Sequence, residues 1–194
     1  MSLNLLCVDF ETSGLDIREN KHQPLACGAI VLDFKTLKIK AETYIECQFH
    51  ADRFEWGQKA EEIHGLTREH LSTQPTMDKA AMKFVEFCLP HFKQSDPITL
   101  LGHNPHFDMR CLELWLNEID LKMTFGHRRL DTFSIGFGLF GAVNSEQLFN
   151  RVGIKRSYHN ALEDARATVG ALQMSRKVGA IYLELLKEHE EGKS

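Results

Sequence analysis

The most constraining feature of this 194-residue chain is an apolar strand that closes on acid. Leu3-Asn4-Leu5-Leu6-Cys7-Val8-Asp9-Phe10 is apolar nearly to its end, the pattern of a strand covered on both faces. Asp9-Phe10-Glu11 then sets two carboxylates at i and i+2, which share one strand face about 6–7 Å apart. Neighbouring acids at the edge of a core repel one another and resist desolvation unless a cation lies between them. The plainer reading is that Asp9 ends the strand and Glu11 opens a polar turn, Thr12-Ser13-Gly14.

The rest of the chain supplies the layers around that strand. Residues 27–34 and 39–47 read as two further strands. Met77, Ala81, Phe84 and Cys88 share one face of a helix that ends before Pro90. Residues 98–101 predict a short strand leading into Gly102-His103-Asn104-Pro105, where the Asn104 side chain predicts a helix cap and Pro105 suits the first turn. Leu112, Trp115, Leu116 and Ile119 give that helix its apolar stripe. A last long helix carries Leu162, Ala165, Val169 and Leu172 and opens at Asn160 and Glu163 in the manner of a capping box. The Glu-rich stretch from Glu184 to Ser194 predicts a frayed, solvated tail. Strands first, then helices around one more strand, make an α/β layer pattern. No Pro- or Gly-rich linker divides it, so a single domain is expected.

Composition excludes several classes. Hydrophobic residues at 43% and charged residues at 26% are ordinary globular values. The longest nearly apolar run, Ile135 to Val143, is far short of the roughly 18 residues of a membrane helix. The N-terminus meets acids at once and has no basic region, so it does not read as a signal peptide. Five scattered cysteines without a CxxC pair support neither a disulfide framework nor a cysteine zinc site, and an intracellular, cytoplasmic setting is expected. The net charge of −4 argues against a grip on nucleic acid by bulk positive charge. That charge is uneven, because residues 121–177 hold nine Lys or Arg against four Asp or Glu. Lys122, Arg128, Arg129, Arg151, Lys155, Arg156 and Arg166 are therefore candidate phosphate contacts.

Two more acids join the first pair. Asp108 falls in the first turn of the helix begun by Asn104-Pro105, and Asp164 in the first turn of the last helix. An acid there offsets the helix macrodipole, which accounts well for Glu163. It does not account for Asp108 following the compact GHNPHF run, or for His159 standing just before the helix of Asp164. Four acids from three elements could converge on a pair of divalent cations, about 3.5–4 Å apart, that clamp the attacking and leaving oxygens of a phosphodiester. Oxygen ligands suit Mg²⁺ or Mn²⁺ rather than zinc. On a continuous helix His159 and Asp164 would point about 140° apart. With the helix starting at Asn160, His159 lies outside it, where an imidazole can accept a proton from water near neutral pH.

These residues fall into an ordered set of motifs: D-F-E-T-x-G-L at Asp9–Leu15, E-I-H-G-L at Glu62–Leu66, H-N-x-x-F-D at His103–Asp108, L-D-T at Leu130–Thr132 and Y-H-x-A-L-x-D-A at Tyr158–Ala165. The set resembles the DEDDh branch of the DnaQ-like 3′–5′ exonucleases, which includes proofreading subunits and RNase T. The resemblance implies an α/β, RNase H-like fold, a mixed β-sheet with helices on both faces. Residues 1–178 would form the exonuclease domain, and 179–194 a C-terminal helix and frayed tail. It implies Asp9, Glu11, Asp108 and Asp164 as ligands of two divalent cations, Mg²⁺ or Mn²⁺, and His159 as general base. Thr12, Leu15, Ile63, His64 and Phe107 would receive the terminal nucleotide, with a place in the core as the weaker reading for Leu15, Ile63 and Phe107. The implied activity removes nucleoside 5′-monophosphates from the 3′ end of single-stranded nucleic acid, DNA ahead of RNA, with RNase T-like exoribonuclease action as the alternative. A polymerase or a second copy of the chain is a conceivable partner, and no membrane is expected. The second strand, Pro24-Leu25-Ala26-Cys27-Gly28, departs from relatives that carry a glutamate near Ala26.

Three competing readings are weaker. Gly136-Phe137-Gly138-Leu139-Phe140-Gly141 is a literal G-x-G-x-x-G, but it does not follow the first strand as a dinucleotide fingerprint does. An inactive nucleic-acid-binding module is disfavoured by the intact set of four acids and His159. His103 and His106, three apart across a helix start without nearby cysteines, suit structural roles better than zinc.

Overall fold

The computed structural model describes residues 3–17, 21–93, 95–155 and 159–191. Arg156 and Tyr158, singled out above, lie outside these described residues, as do 192–194. Five strands, β1 (Asn4–Thr12), β2 (Pro24–Asp33), β3 (Ile39–Glu46), β4 (Thr99–Gly102) and β5 (Leu130–Asp131), form one sheet in the order β3-β2-β1-β4-β5. The β1–β2–β3 half is antiparallel, and β1–β4–β5 is parallel. The central strand is the apolar one, as burial on both faces requires.

Strand alternation sorts the two cores. Leu6, Val8 and Phe10 point to one face, with Met77, Ala81, Phe84 and Cys88 of α3 (Met77–Cys88) and Leu112 and Trp115 of α4 (Pro105–Glu118). Leu5 and Cys7 point to the other, against Ala165, Val169 and Leu172 of α7 (Ala161–Glu191). Helices therefore cover both faces, as the expected α/β fold requires. Phe10 meets Trp115 edge-on, with ring centroids 5.1 Å apart.

Shorter helices fill the connections: α1 (Gln58–His64), α2 (Arg68–Ser72), α5 (Thr132–Phe140) and α6 (Ser145–Arg151). Gly136 and Gly138 lie inside α5, and a Cβ on Gly136 would stand 2.5 Å from Leu148. The glycine run is thus a packed helix that ends on Gly141 in the left-handed region, and it forms no phosphate-cradling turn between strand and helix. Residues 179–191 continue α7 without a break. The described part of the expected tail is therefore helical, and no element boundary falls at 178.

Candidate active site

The site forms where β1 outruns its parallel neighbour. The last pair with β4 is Cys7↔Leu101, while the antiparallel pairing with β2 continues to Thr12. Past Cys7, the β4 side of β1 offers backbone groups that no strand takes up, and Phe10 N–H donates to Asp108 Oδ1 at 3.1 Å. Asp108 is almost fully buried. Its carboxyl is held well above the usual carboxylate range, by burial first and by the charge of Glu11, against the stabilising backbone hydrogen bonds.

Asp9 and Glu11 share the opposite face, the one covered by α7. Asp9 is half-buried, and Glu11 is 9% exposed. Asp164, in the first turn of α7, is 5% exposed. Ligand atoms of Glu11, Asp164 and His159 all lie within 4.8 Å of one another. His159 stands outside the helix with an exposed side chain, its Nδ1 3.9 Å from Asp164 Oδ2. The structure thus brings together Glu11, Asp164 and His159 from two distant segments. Asp108 stands at the β4 edge of β1, on the Phe10 N–H, and Asp9 lies one pleat before Glu11.

Two glycines permit this closeness. Gly28 pairs with Asp9 across β1–β2, and a Cβ there would lie 2.2 Å from the Ala161 carbonyl oxygen and 2.4 Å from Leu162 Cα. The start of α7 rests directly on the bare backbone of β2, which lowers Asp164 towards Glu11. Asn160 Oδ1 caps that start, accepting from Leu162 N–H at 3.1 Å and Glu163 N–H at 3.2 Å. At the end of β4, a Cβ on Gly102 would stand 2.9 Å from Pro105 Cβ and 3.5 Å from Asp108 Oδ2.

The start of α4 differs from expectation. Asn104 occupies the N-cap position with φ 66°, in the left-handed region that Asn tolerates, and its side chain makes no capping bond. Its backbone N–H instead donates to Asp131 Oδ1 at 3.1 Å. Asp131 also caps α5, accepting from Phe133 N–H at 3.0 Å and from the Ser134 hydroxyl at 2.5 Å. Burial opposes its ionisation, but the Ser134 hydroxyl and the three backbone N–H groups outweigh it and hold this carboxyl below its usual value. Asp131 therefore ties the helix bearing Asp108 to α5. The L-D-T motif was its only trace in the sequence, and Gly28 left none beyond its place in β2.

Around the acids, Leu15 is 87% and Ile63 46% exposed. Neither belongs to the core, which leaves two apolar side chains presented to solvent. Phe107 is half-buried against the α3–α4 core. Thr12 is buried, with its hydroxyl donating to the Gly14 carbonyl at 2.7 Å. His64 Nδ1 accepts from Leu66 N–H at 3.0 Å, so the ring proton sits on Nε2 and donates to the Thr12 carbonyl at 3.2 Å. Burial pushes this imidazole below its ordinary pKa, which favours the neutral form. Ser13 anchors the same turn: its carbonyl accepts from Gly57 N–H at 2.7 Å and its hydroxyl donates to the Glu55 carbonyl at 2.7 Å.

His103 is structural, with Nδ1 3.0 Å from Thr132 Oγ1 and Nε2 2.7 Å from Ser145 Oγ. Of the basic candidates, Arg166 is paired with both Glu42 and Glu163, and Arg151 donates to the Phe140 carbonyl. Cys7, Cys27 and Cys111 are buried and free. Burial pushes their thiols far up, with Asp108 and Asp9 adding to it, so they offer no thiolate nucleophile. Among the described residues, no helix is long and apolar enough to cross a membrane.

Comparison with known proteins gives the family and the fold. Residues 6–172 match the RNase T exonuclease family. The chain is 24% identical over 191 residues to a PolC-type DNA polymerase III of Thermotoga maritima, covering 93% of this chain but 13% of that protein. A PolC-type polymerase of Clostridium perfringens is 25% identical over 173 residues, 87% of this chain and 11% of its own length. The chain thus spans only about an eighth of these curated relatives. The nuclease domain of 3′hExo, a DEDDh family member solved with rAMP, superposes with a TM-score of 0.73 at 14% identity, covering 92% of this chain and 94% of that one. An E. coli ExoI–ssDNA complex in its zinc-bound form gives a TM-score of 0.73 at 18% identity, covering 97% and 43%. The fold is therefore the RNase H-like exonuclease fold, and the resemblance to DEDDh-type DnaQ-like enzymes is borne out. With a family match across most of its length and through every motif, the chain belongs to the RNase T exonuclease family, hydrolases of phosphodiester bonds.

Proposed function

We propose that this chain is a 3′–5′ exonuclease that releases nucleoside 5′-monophosphates from single-stranded ends, DNA ahead of RNA, using Mg²⁺ or Mn²⁺. The observation that carries the reading is the convergence of Glu11, Asp164 and His159 within 4.8 Å beside a buried Asp108 whose carboxyl is pushed up by burial and by Glu11. Neighbouring carboxylate oxygens are the donor chemistry of hard divalent cations, and a bound cation would offset the burial that holds the Asp108 carboxyl up. Asp9, Glu11, Asp108 and Asp164 would hold them. When bound, such ions supply Lewis acidity at the attacking water and at the leaving 3′ oxygen.

The chain's own groups do the rest. His159, exposed and outside the helix with its Nδ1 3.9 Å from Asp164 Oδ2, takes the proton of the water at its ring nitrogen. Leu15 and Ile63 offer apolar faces to an unstacked terminal base, while Phe107 lies against the sugar–phosphate next to it. Thr12 and His64, joined through the Thr12 carbonyl, adjoin the same base. A strand end fits because a base must leave its stack to enter. Residues 1–178 carry this activity, with 179–194 as an appendage. The polymerase relatives favour DNA, and the similarity to a nuclease solved with rAMP makes RNA the second reading.

The test uses 5′-labelled DNA and RNA of equal sequence with Mg²⁺, with Mn²⁺ and with chelator. A ladder of shortened products is expected that needs metal and vanishes in Asp164→Ala; activity surviving both treatments refutes the reading. His159→Ala should lose turnover and keep metal affinity by calorimetry, whereas equal loss of affinity would make His159 a ligand instead.

A further inference from the structure

Helix α7 is built of two unlike halves. Through Ser175 it buries residues against the sheet and α6, and from Arg176 to Glu191 its side chains are exposed almost without exception. Those last residues extend about 24 Å at 1.5 Å per residue. They are not polar all round, as a solvated extension would be. Met174, Val178, Ile181 and Leu185 recur at spacings of four, three and four, the seam of a two-helix coil. Ile181 is 57% and Leu185 58% exposed. Tyr182 and Leu186, also exposed, widen the stripe on one side.

The opposite flank of the seam has Lys177 and, one heptad later, Glu184. Charge is graded along the segment: Arg176 and Lys177 lie at its start, and Glu184, Glu188, Glu190 and Glu191 outnumber Lys187 towards its end. Beside the seam lies a groove of about 690 Å³, walled by Leu37, Val152, Ile154 and Met174. It carries Lys38, Arg176 and Lys177 and no acid among its described lining residues. A basic, apolar groove thus adjoins the root of a helix whose tip is acidic and apolar.

We infer that this face binds a second copy of the chain, the two α7 extensions packing antiparallel about a two-fold axis. In that arrangement Val178 of each copy lies against Ile181 of the other, and Met174 against Leu185, so every seam position meets a seam position. Flanking positions of the same kind then face each other, which places Lys177 opposite Glu184 twice, once on each side of the axis. The acidic tip of each helix enters the basic groove of the other copy. A parallel pairing would set basic start against basic start and acidic tip against acidic tip. The antiparallel one is self-complementary, as an isologous interface must be.

The experiment is analytical ultracentrifugation of the full chain across the micromolar range, in chelator and at moderate salt. A dimer is expected, with Leu185→Glu monomeric and unchanged in its circular dichroism. Lys177→Glu and Glu184→Lys should each weaken the dimer at least tenfold, and the double charge swap should restore it. A monomeric wild type overturns the inference, including the case in which the face serves an unrelated partner. So does a dimer indifferent to Leu185→Glu, or single charge variants that the double swap does not rescue.

Discussion

A single methyl group at Gly28 should disable this nuclease. The Cβ of Gly28→Ala would stand 2.2 Å from the Ala161 carbonyl oxygen and 2.4 Å from Leu162 Cα, where non-bonded carbons rest at about 3.5–4.0 Å. The obstructing atoms are backbone, so no rotamer change relieves the clash, and the start of α7 must retreat by about 1 Å. Overpacking of this kind costs about 1–3 kcal/mol, which for a domain of this size lowers Tm by roughly 3–10 °C. The functional loss should be larger. Asp164 sits two residues past Leu162 on the displaced turn, and a misplacement of about 1 Å at a reacting centre can cost around 100-fold. The assay pairs turnover on a labelled single strand with Mn²⁺ titration calorimetry and thermal melting. The control is Gly138→Ala, also a glycine but with nothing within 4 Å of the added Cβ, which should be neutral or stabilise α5 by about 0.5–1 kcal/mol. A folded Gly28→Ala protein with wild-type turnover and metal affinity would refute the account of how α7 delivers Asp164.

Two further outcomes follow from the electrostatics and the caps. Burial raises the Asp108 carboxyl above its unfolded value, so in metal-free protein its favourable contribution is complete below the unfolded pKa and is lost as pH rises towards the folded one. Melting in chelator should therefore show Asp108→Asn gaining on wild type as pH increases, while the same variant loses cation binding; a difference in Tm that does not change with pH contradicts this. Asp131→Ala removes acceptors for Asn104, Phe133 and Ser134 and should cost about 0.5–2 kcal/mol by denaturant titration, with turnover falling as the start of α4 loosens. Asp131→Asn keeps an acceptor oxygen and should recover much of both.

Much of the candidate site was legible because carboxylates at a buried strand end are costly without a cation, so Asp9 and Glu11 stood out from any ordinary strand. Asp108 and Asp164 were legible through helix starts, which Pro105 and Asn160 mark by local chemistry. Where local chemistry was misleading, tertiary contacts had taken over. Asn104 was expected to cap α4 with its side chain, but Asp131, brought alongside by the β4–β5 pairing, holds its backbone instead. Leu15 and Ile63 could have been core or surface, because hydrophobicity alone does not say which apolar groups find partners.

The sequence by itself determined the layered α/β order, the apolar central strand, and the set of acids with His159 beside the last. These follow from rules that act within a few residues: strand alternation, helix period and capping. Only the tertiary structure decided which groups meet. It set Glu11 against Asp164, more than 150 residues away in the chain, and gave Gly28 its purpose, because what a missing side chain makes room for is known only when the other backbone is in place. It also showed that the second half of α7 leaves its apolar stripe exposed among the described residues. Periodicity records that a helix has an apolar face, but the packed chain alone shows whether that face is already covered.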